Sequence, residues 1–204
     1  MILCHEKRFL FVAVPKTGST SIESALAAYG DHSPFGRKHA SMSTAVKRLG
    51  PGIVKRYLAF CVVRHPVDWV LSWYAYRSRS ELSDPEHRHH QNYSGLLSLE
   101  DFLQSFVFTA RPQSKSRRER GLGAQRDKIC DRSGTILVDK LCRYENLERD
   151  FQTVMSELGI DAVDLPLLNE SPSGKKLVKE NLDPALYDKI ANHYERDMAL
   201  FGYE

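Results

Sequence analysis

Two uninterrupted apolar runs, Phe9–Val14 and Leu58–Val63, stand out from a chain that otherwise mixes polar and apolar positions. Runs of this length between polar turns have the character of strands covered on both faces. Each passes directly into helical spacing. Ile22, Ala25, Leu26 and Tyr29 recur at i, i+3, i+4 and i+7 after the first run, and Val67, Val70, Leu71 and Tyr74 mark an inward face after the second. Thr20 and Glu23 stand at capping-box spacing, which predicts a helix opening at Thr20. Pro66, with its fixed φ and no amide hydrogen, suits the first position of the second helix.

The pattern repeats once more. Thr135–Leu141, carrying Ile136, Leu137 and Val138, predicts a third strand, and Leu147, Phe151, Val154, Met155 and Leu158 line one face of a helix after it. In between, the polar segment Arg77–Tyr93 and the basic segment Arg111–Arg126 read as surface loops flanking a short helix with Leu99, Phe102, Leu103 and Phe106. Asp183-Pro184 opens a last helix that should run to about Leu200. Strand–helix alternation without internal repeats predicts an α/β fold: a single domain over residues 1–204, with a P-loop-like, mainly parallel central sheet flanked by helices.

Composition narrows the class. With 42% hydrophobic and 27% charged residues in 204, the chain can close one core and is not a disordered sequence. No apolar run approaches the roughly 20 residues of a bilayer span. Met1–Arg8 lacks the long apolar stretch of a signal peptide, so the expected location is cytoplasmic. Cys4, Cys61, Cys130 and Cys142 are widely spaced with no C-x-x-C pair, which points to reduced, structural thiols and away from zinc. A net charge of +3 is too mild to imply nucleic acid, although Arg111, Lys115, Arg117, Arg118 and Arg120 concentrate positive charge in one loop.

The chemistry gathers at the two strand-to-helix turns. A strand entering a glycine-containing turn and a helix start is a ready anion site, because unpaired amides and the positive helix end converge there. Pro15-Lys16-Thr17-Gly18-Ser19-Thr20-Ser21 has that layout, with one cation and four hydroxyls. Taken alone it reads equally as an ordinary turn with solvated polar residues. Lys16 precedes Gly18 and no lysine follows it, so the Walker A pattern of ATP-type loops is absent. At the second turn, Arg64 leaves the strand and Ser72 lies about two turns into the helix at ~1.5 Å per residue. Arg64 and Ser72 together would suit a second phosphate of one ligand, while singly they read as a surface ion-pair residue and a mid-helix hydroxyl.

These residues carry a family resemblance. Phe11-Val12-Ala13-Val14-Pro15-Lys16-Thr17-Gly18-Ser19-Thr20-Ser21 resembles the 5′-phosphosulfate loop of sulfotransferases that use 3′-phosphoadenosine 5′-phosphosulfate (PAPS). Phe60-Cys61-Val62-Val63-Arg64-His65-Pro66-Val67-Asp68-Trp69-Val70-Leu71-Ser72-Trp73-Tyr74 resembles their 3′-phosphate motif, in the family's order. Arg143-Tyr144-Glu145-Asn146-Leu147, Tyr194-Glu195-Arg196-Asp197 and Phe201-Gly202-Tyr203 are similar to the branch containing carbohydrate and heparan sulfate 2-O-sulfotransferases (family 2 type).

The resemblance implies sulfuryl transfer from PAPS, with adenosine 3′,5′-bisphosphate (PAP) as product and no metal, to a hydroxyl of a glycan or glycosylated small molecule. It implies Lys16 at the bridging oxygen, Pro15 and the amides of Thr17, Gly18, Ser19 and Thr20 on the 5′ side, and Arg64 with Ser72 on the 3′ phosphate. Ser171 and Lys175 are implied in a loop over the nucleotide. His39, between the two motifs, stands where that branch carries its catalytic histidine, and a neutral imidazole takes a hydroxyl proton near pH 7; without the resemblance it reads as a surface-loop histidine. The rival readings are a nucleotide kinase and a non-catalytic PAP- or glycan-binding module. His87, His89 and His90 read as a solvated loop, His65 as a capping or packing residue, and Glu145 as structural.

Overall fold

The computed structural model describes residues 1–109, 121–166 and 177–204. In chain order the elements are β1 (Ile2–Cys4), β2 (Phe9–Val12), α1 (Ser19–Ala25), β3 (Asp31–His32), α2 (Met42–Leu49), α3 (Pro51–Val54), β4 (Leu58–Val63), α4 (Pro66–Arg77), α5 (Leu99–Leu103), α6 (Arg126–Ile129), β5 (Lys140–Arg143), α7 (Leu147–Glu157), α8 (Pro184–His193) and α9 (Glu195–Phe201). Contacts group them into two compact units. The first comprises Met1–His65, Gln125–Glu170 and Leu200–Tyr203; the second comprises Pro66–Ala124, Ser171–Ala199 and Glu204.

The first unit is built on a five-stranded sheet in the order β3-β1-β2-β4-β5. The pairs β2/β4 and β4/β5 are parallel, while β1 pairs antiparallel with both β2 and β3. The sheet is therefore mixed, parallel at β2, β4 and β5, with an antiparallel edge that the sequence pattern does not announce. Side chains alternate across it with the period of two that a strand imposes. Ile2, Cys4, Phe9, Phe11, Phe60, Val62 and Cys142 pack with Ile22, Leu26, Phe151, Val154 and Met155 on one face. Leu3, Leu10, Val12, Ala59, Cys61 and Val63 pack with Met42, Ala45, Val54, Ile129 and Phe201 on the other. Phe60 lies against Phe9 and Phe11 at ring-centroid separations of 6.0 and 5.1 Å. Each such fully buried side chain contributes about 1.5 to 3 kcal/mol.

Two predicted boundaries move. The strand expected at Thr135–Leu141 forms at Lys140–Arg143 instead, and Ile136 makes only an isolated antiparallel bridge with Cys130. The last helix breaks at Tyr194 into α8 and α9, and Asp183 caps α8 by accepting from the amides of Ala185 and Leu186 at 3.0 and 3.2 Å. All four cysteines are free and buried, and burial pushes the Cys142 thiol up to about 12, so it stays protonated.

The second unit has its own core. Val67, Val70 and Leu71 of α4 pack with Phe102, Leu103, Phe106 and Ile190, and Trp69 stands edge-on to Trp73 and Tyr194. The predicted short helix is α5, extended by a wider turn over Gln104–Phe108. The histidine loop folds locally: His90 Nδ1 donates to the Leu82 carbonyl at 2.9 Å, and His87 Nδ1 accepts from the His89 amide. Among the described residues no helix is long and apolar enough to cross a membrane.

Candidate functional site

The three parallel strands of the first unit end side by side, and the sequence motifs follow those ends. After β2, Thr17 is fully buried and its hydroxyl donates to the Val14 carbonyl at 2.9 Å, folding the turn back on the strand. Lys16 takes φ 64° and Gly18 takes φ 77°. A lysine in the left-handed region costs of order 1 to 3 kcal/mol, a strain that a turn retains only where its surroundings impose it. Glycine is required at 18 for a second reason. A Cβ there would lie 2.9 Å from Leu147 Cδ2 and 3.3 Å from the Tyr144 ring.

Gly18, not Thr20, is the N-cap of α1, and no side chain caps that helix. The capping box expected from Thr20 and Glu23 is absent because both have other partners. Lys38 Nζ lies 2.7 Å from Glu23 Oε2 and donates to Thr20 Oγ1 at 3.5 Å. Ser19 and Ser21 are buried at the helix start, whereas Pro15 and Lys16 are half-buried.

Arg64 follows β4. The fully buried amide of Gln125 grips its main chain from both sides: Oε1 accepts from Arg64 N–H at 2.9 Å and Nε2 donates to Arg64 C=O at 2.8 Å. The guanidinium lies 4.4 Å above the Tyr144 ring, and its buried Nε has no hydrogen-bond partner among the described residues. Replacing Gln125 with Leu should strand two main-chain groups and lower stability by about 1 to 3 kcal/mol in urea denaturation. An unchanged midpoint would show that the grip contributes nothing.

After β5, Glu145 is structural, as its position predicts. One oxygen accepts from the His65 amide at 2.9 Å and the other from the Tyr203 hydroxyl at 2.8 Å. His65 is buried with its ring edge-on to Tyr203, which makes it a packing residue. Burial, reinforced by Glu145, pushes the Tyr203 phenol up, so it remains a donor. Arg143 stacks on Tyr203 and donates to the carbonyls of Phe201 and Gly202, which ties the chain's last turn to β5.

His39 is the decisive placement. Its Nδ1 donates to the Ala13 carbonyl at 2.8 Å, three residues before Lys16, and Lys128 Nζ donates to the His39 carbonyl at 3.0 Å. A carbonyl only accepts, so Nδ1 carries the hydrogen and the neutral ring keeps its lone pair on Nε2. Burial lowers the His39 pKa below 6.5, with Lys38 and Lys128 acting in the same direction and the Ala13 bond and Glu23 opposing. His39 is therefore a neutral imidazole near pH 7, with the Nε2 lone pair available.

The structure thus brings His39, the Lys16–Thr20 turn and Arg64 onto the strand ends of one unit. Ser72 belongs to the second unit, half-buried on α4. Ser171, Lys175 and the basic stretch Arg111–Arg120 lie outside the described residues. Sequence reasoning missed Gln125 and Lys128, which act by contacts from distant positions and have no local pattern of their own, and it gave Tyr144 no role toward Arg64. Among the described residues no group of three or more His, Cys, Asp or Glu is arranged to hold a metal ion.

Comparison with curated proteins and with solved structures returns no significant match. Scanned against protein families, the chain matches the Sulfotransferase family over residues 1–204, its whole length. On that match over its whole length, and with the Lys16 turn, Arg64 and His39 gathered at the strand ends of its sheet, this chain belongs to the sulfotransferase family and is a sulfotransferase.

Proposed function

We propose that the chain acts as one catalytic domain over residues 1–204 that moves a sulfuryl group from PAPS to a hydroxyl of a glycan or glycosylated small molecule. The observation that carries this reading is the bond from His39 Nδ1 to the Ala13 carbonyl, which fastens a neutral base to the strand leading into the Lys16 turn. The residues fit a bisphosphorylated donor. Among the described residues Arg64 keeps a buried Nε without a partner, and α1 starts at a glycine N-cap, which has no side chain to cap it. When bound, PAPS supplies the sulfuryl group and carries away the leaving phosphate charge.

The chain's own residues divide the remaining work. Pro15, Thr17, Gly18, Ser19 and Thr20 shape the turn for the 5′ side, and Arg64 with Ser72 holds the 3′ phosphate. Lys16 sets its ammonium against charge that grows on the leaving oxygen, and His39 Nε2 takes the acceptor proton. The resemblance adds Ser171 and Lys175 to the residues that contact the nucleotide. Four free thiols support a reducing, cytoplasmic setting.

The test of the donor is a thermal shift without magnesium. PAP should raise the melting temperature more than AMP, which lacks the 3′ phosphate, and Arg64→Ala should weaken PAP binding tenfold or more, the loss of a charge-assisted contact of about 1.5 to 3 kcal/mol. Equal stabilisation by AMP and PAP removes Arg64 and Ser72 from the 3′ site. Labelled PAPS with a panel of glycans and phenols then identifies the acceptor.

A further inference from the structure

We infer that Lys128 is a positioning residue for His39: from α6 it holds the His39 main chain while the Ala13 carbonyl holds the ring, so the two contacts fix where Nε2 stands. The inference rests on His39 being the base. It starts from the loop that carries His39, between β3 and α2, which has no strand or helix geometry of its own at that residue. A ring bonded at Nδ1 alone can still pivot if its main chain moves. The Lys128 Nζ–His39 O bond at 3.0 Å supplies the second point.

The anchor on the other side is firm. Ile129 is fully buried, its carbonyl accepts from the Leu137 amide at 2.8 Å, and the Cys130 carbonyl accepts from Ser43 Oγ of α2 at 3.3 Å. Gln125, one turn earlier, grips Arg64. One short segment, Gln125–Lys128, therefore sets both Arg64 and His39, and fixes the candidate base relative to the nucleotide-binding arginine. Lys128 is partly withdrawn from water, which lowers its pKa, with Arg37 acting in the same direction and Asp127 opposing. A long, flexible cation held in that way gives up solvation and side-chain freedom for a carbonyl contact.

The charged groups that act on His39 are Lys38 beside it, Glu23 of α1 and Lys128 of α6. Removing the Lys128 cation takes away the weaker, after Lys38, of the two cations that disfavour the imidazolium, so the His39 titration midpoint should move up. Orientation and charge then give separate readouts in one variant.

The experiment compares Lys128→Met and Lys128→Arg in the full chain by turnover, by PAP affinity and by NMR titration of the His39 ring. Lys128→Met should lower kcat by about ten- to a hundredfold, the usual effect of misplacing a catalytic group by about an ångström, and raise the His39 titration midpoint, with PAP affinity unchanged. Lys128→Arg keeps a charged donor and should recover most of the turnover and the wild-type midpoint. The inference is overturned if Lys128→Met titrates and turns over like wild type. It is equally overturned if Lys128→Arg stays as slow as Lys128→Met with the midpoint unmoved in both, which is the behaviour of a merely structural lysine. A midpoint that rises in Lys128→Met while kcat holds overturns the positioning role, because the charge then reaches the ring while its loss leaves turnover intact; His39 as the base is tested separately by His39→Ala.

Discussion

Replacing His39 with alanine should cut turnover by about two to four orders of magnitude, the usual share of acid–base catalysis, while PAP binding stays near wild type. The expectation follows from the ring's bonding. With Nδ1–H given to the Ala13 carbonyl, Nε2 is the atom left to accept a proton, and it does so only when the ring is neutral. Burial holds the pKa below 6.5. The rate should therefore be flat near neutral pH and fall only on the acid side, below 6.5, as the imidazolium forms. The same shift sets a stability profile. Because the folded pKa is depressed, the unfolded chain binds the proton more readily, so the contribution of His39 to stability is complete above 6.5 and is lost as pH falls through the lowered value. The His39→Ala chain should lack that acid loss. Near-normal turnover with an unchanged pH profile would remove His39 from the mechanism. Attention would then move to the carboxylates of the Glu81–Glu86 loop, since both oxygens of Glu145 already accept hydrogen bonds.

What the sequence discloses follows the range of the forces involved. β4 and the start of α4 at Pro66 fall where the pattern predicts, because six successive apolar residues and a proline at a first helical position are local signals. β1 and β3 escape because three- and two-residue strands have too little length to show alternation. The Ile-Leu-Val run at Ile136–Val138 misleads for a different reason. Strand propensity reports fit to a half-buried pleated surface, and the position beside β4 is taken by Lys140–Arg143, whose Leu141 and Cys142 pack on opposite faces.

The site divides the same way. The placement of the Lys16 turn and Arg64 after β2 and β4 was legible, because each is a contiguous motif beside its strand. The capping box at Thr20 was not, because Lys38 takes both of its members. Gln125 stands 61 residues from Arg64, and Lys128 stands 89 from His39. No periodicity links such pairs; only the packing of α6 against α2 and the sheet brings them together.

The Lys16 turn yields the other large effect. Lys16→Ala should abolish transfer by far more than it weakens PAP binding, because charge on the leaving oxygen grows only in the transition state. Backbone strain supplies the control. Lys16 stands at φ 64°, where alanine is strained as lysine is, so Lys16→Ala removes the ammonium and leaves the turn's conformational cost in place. Lys16→Gly removes both, because glycine adopts positive φ without a Cβ clash. The two variants should therefore be equally inactive, while Lys16→Gly melts no lower than Lys16→Ala even though glycine's looser unfolded chain works against it. The measurements are kcat, PAP affinity and melting temperature for both. If turnover and PAP affinity fall by the same factor, Lys16 is a phosphate anchor in ground and transition state alike. If Lys16→Gly recovers activity that Lys16→Ala lacks, the turn's shape and not its charge carries the chemistry, and Lys16 loses its role at the leaving oxygen.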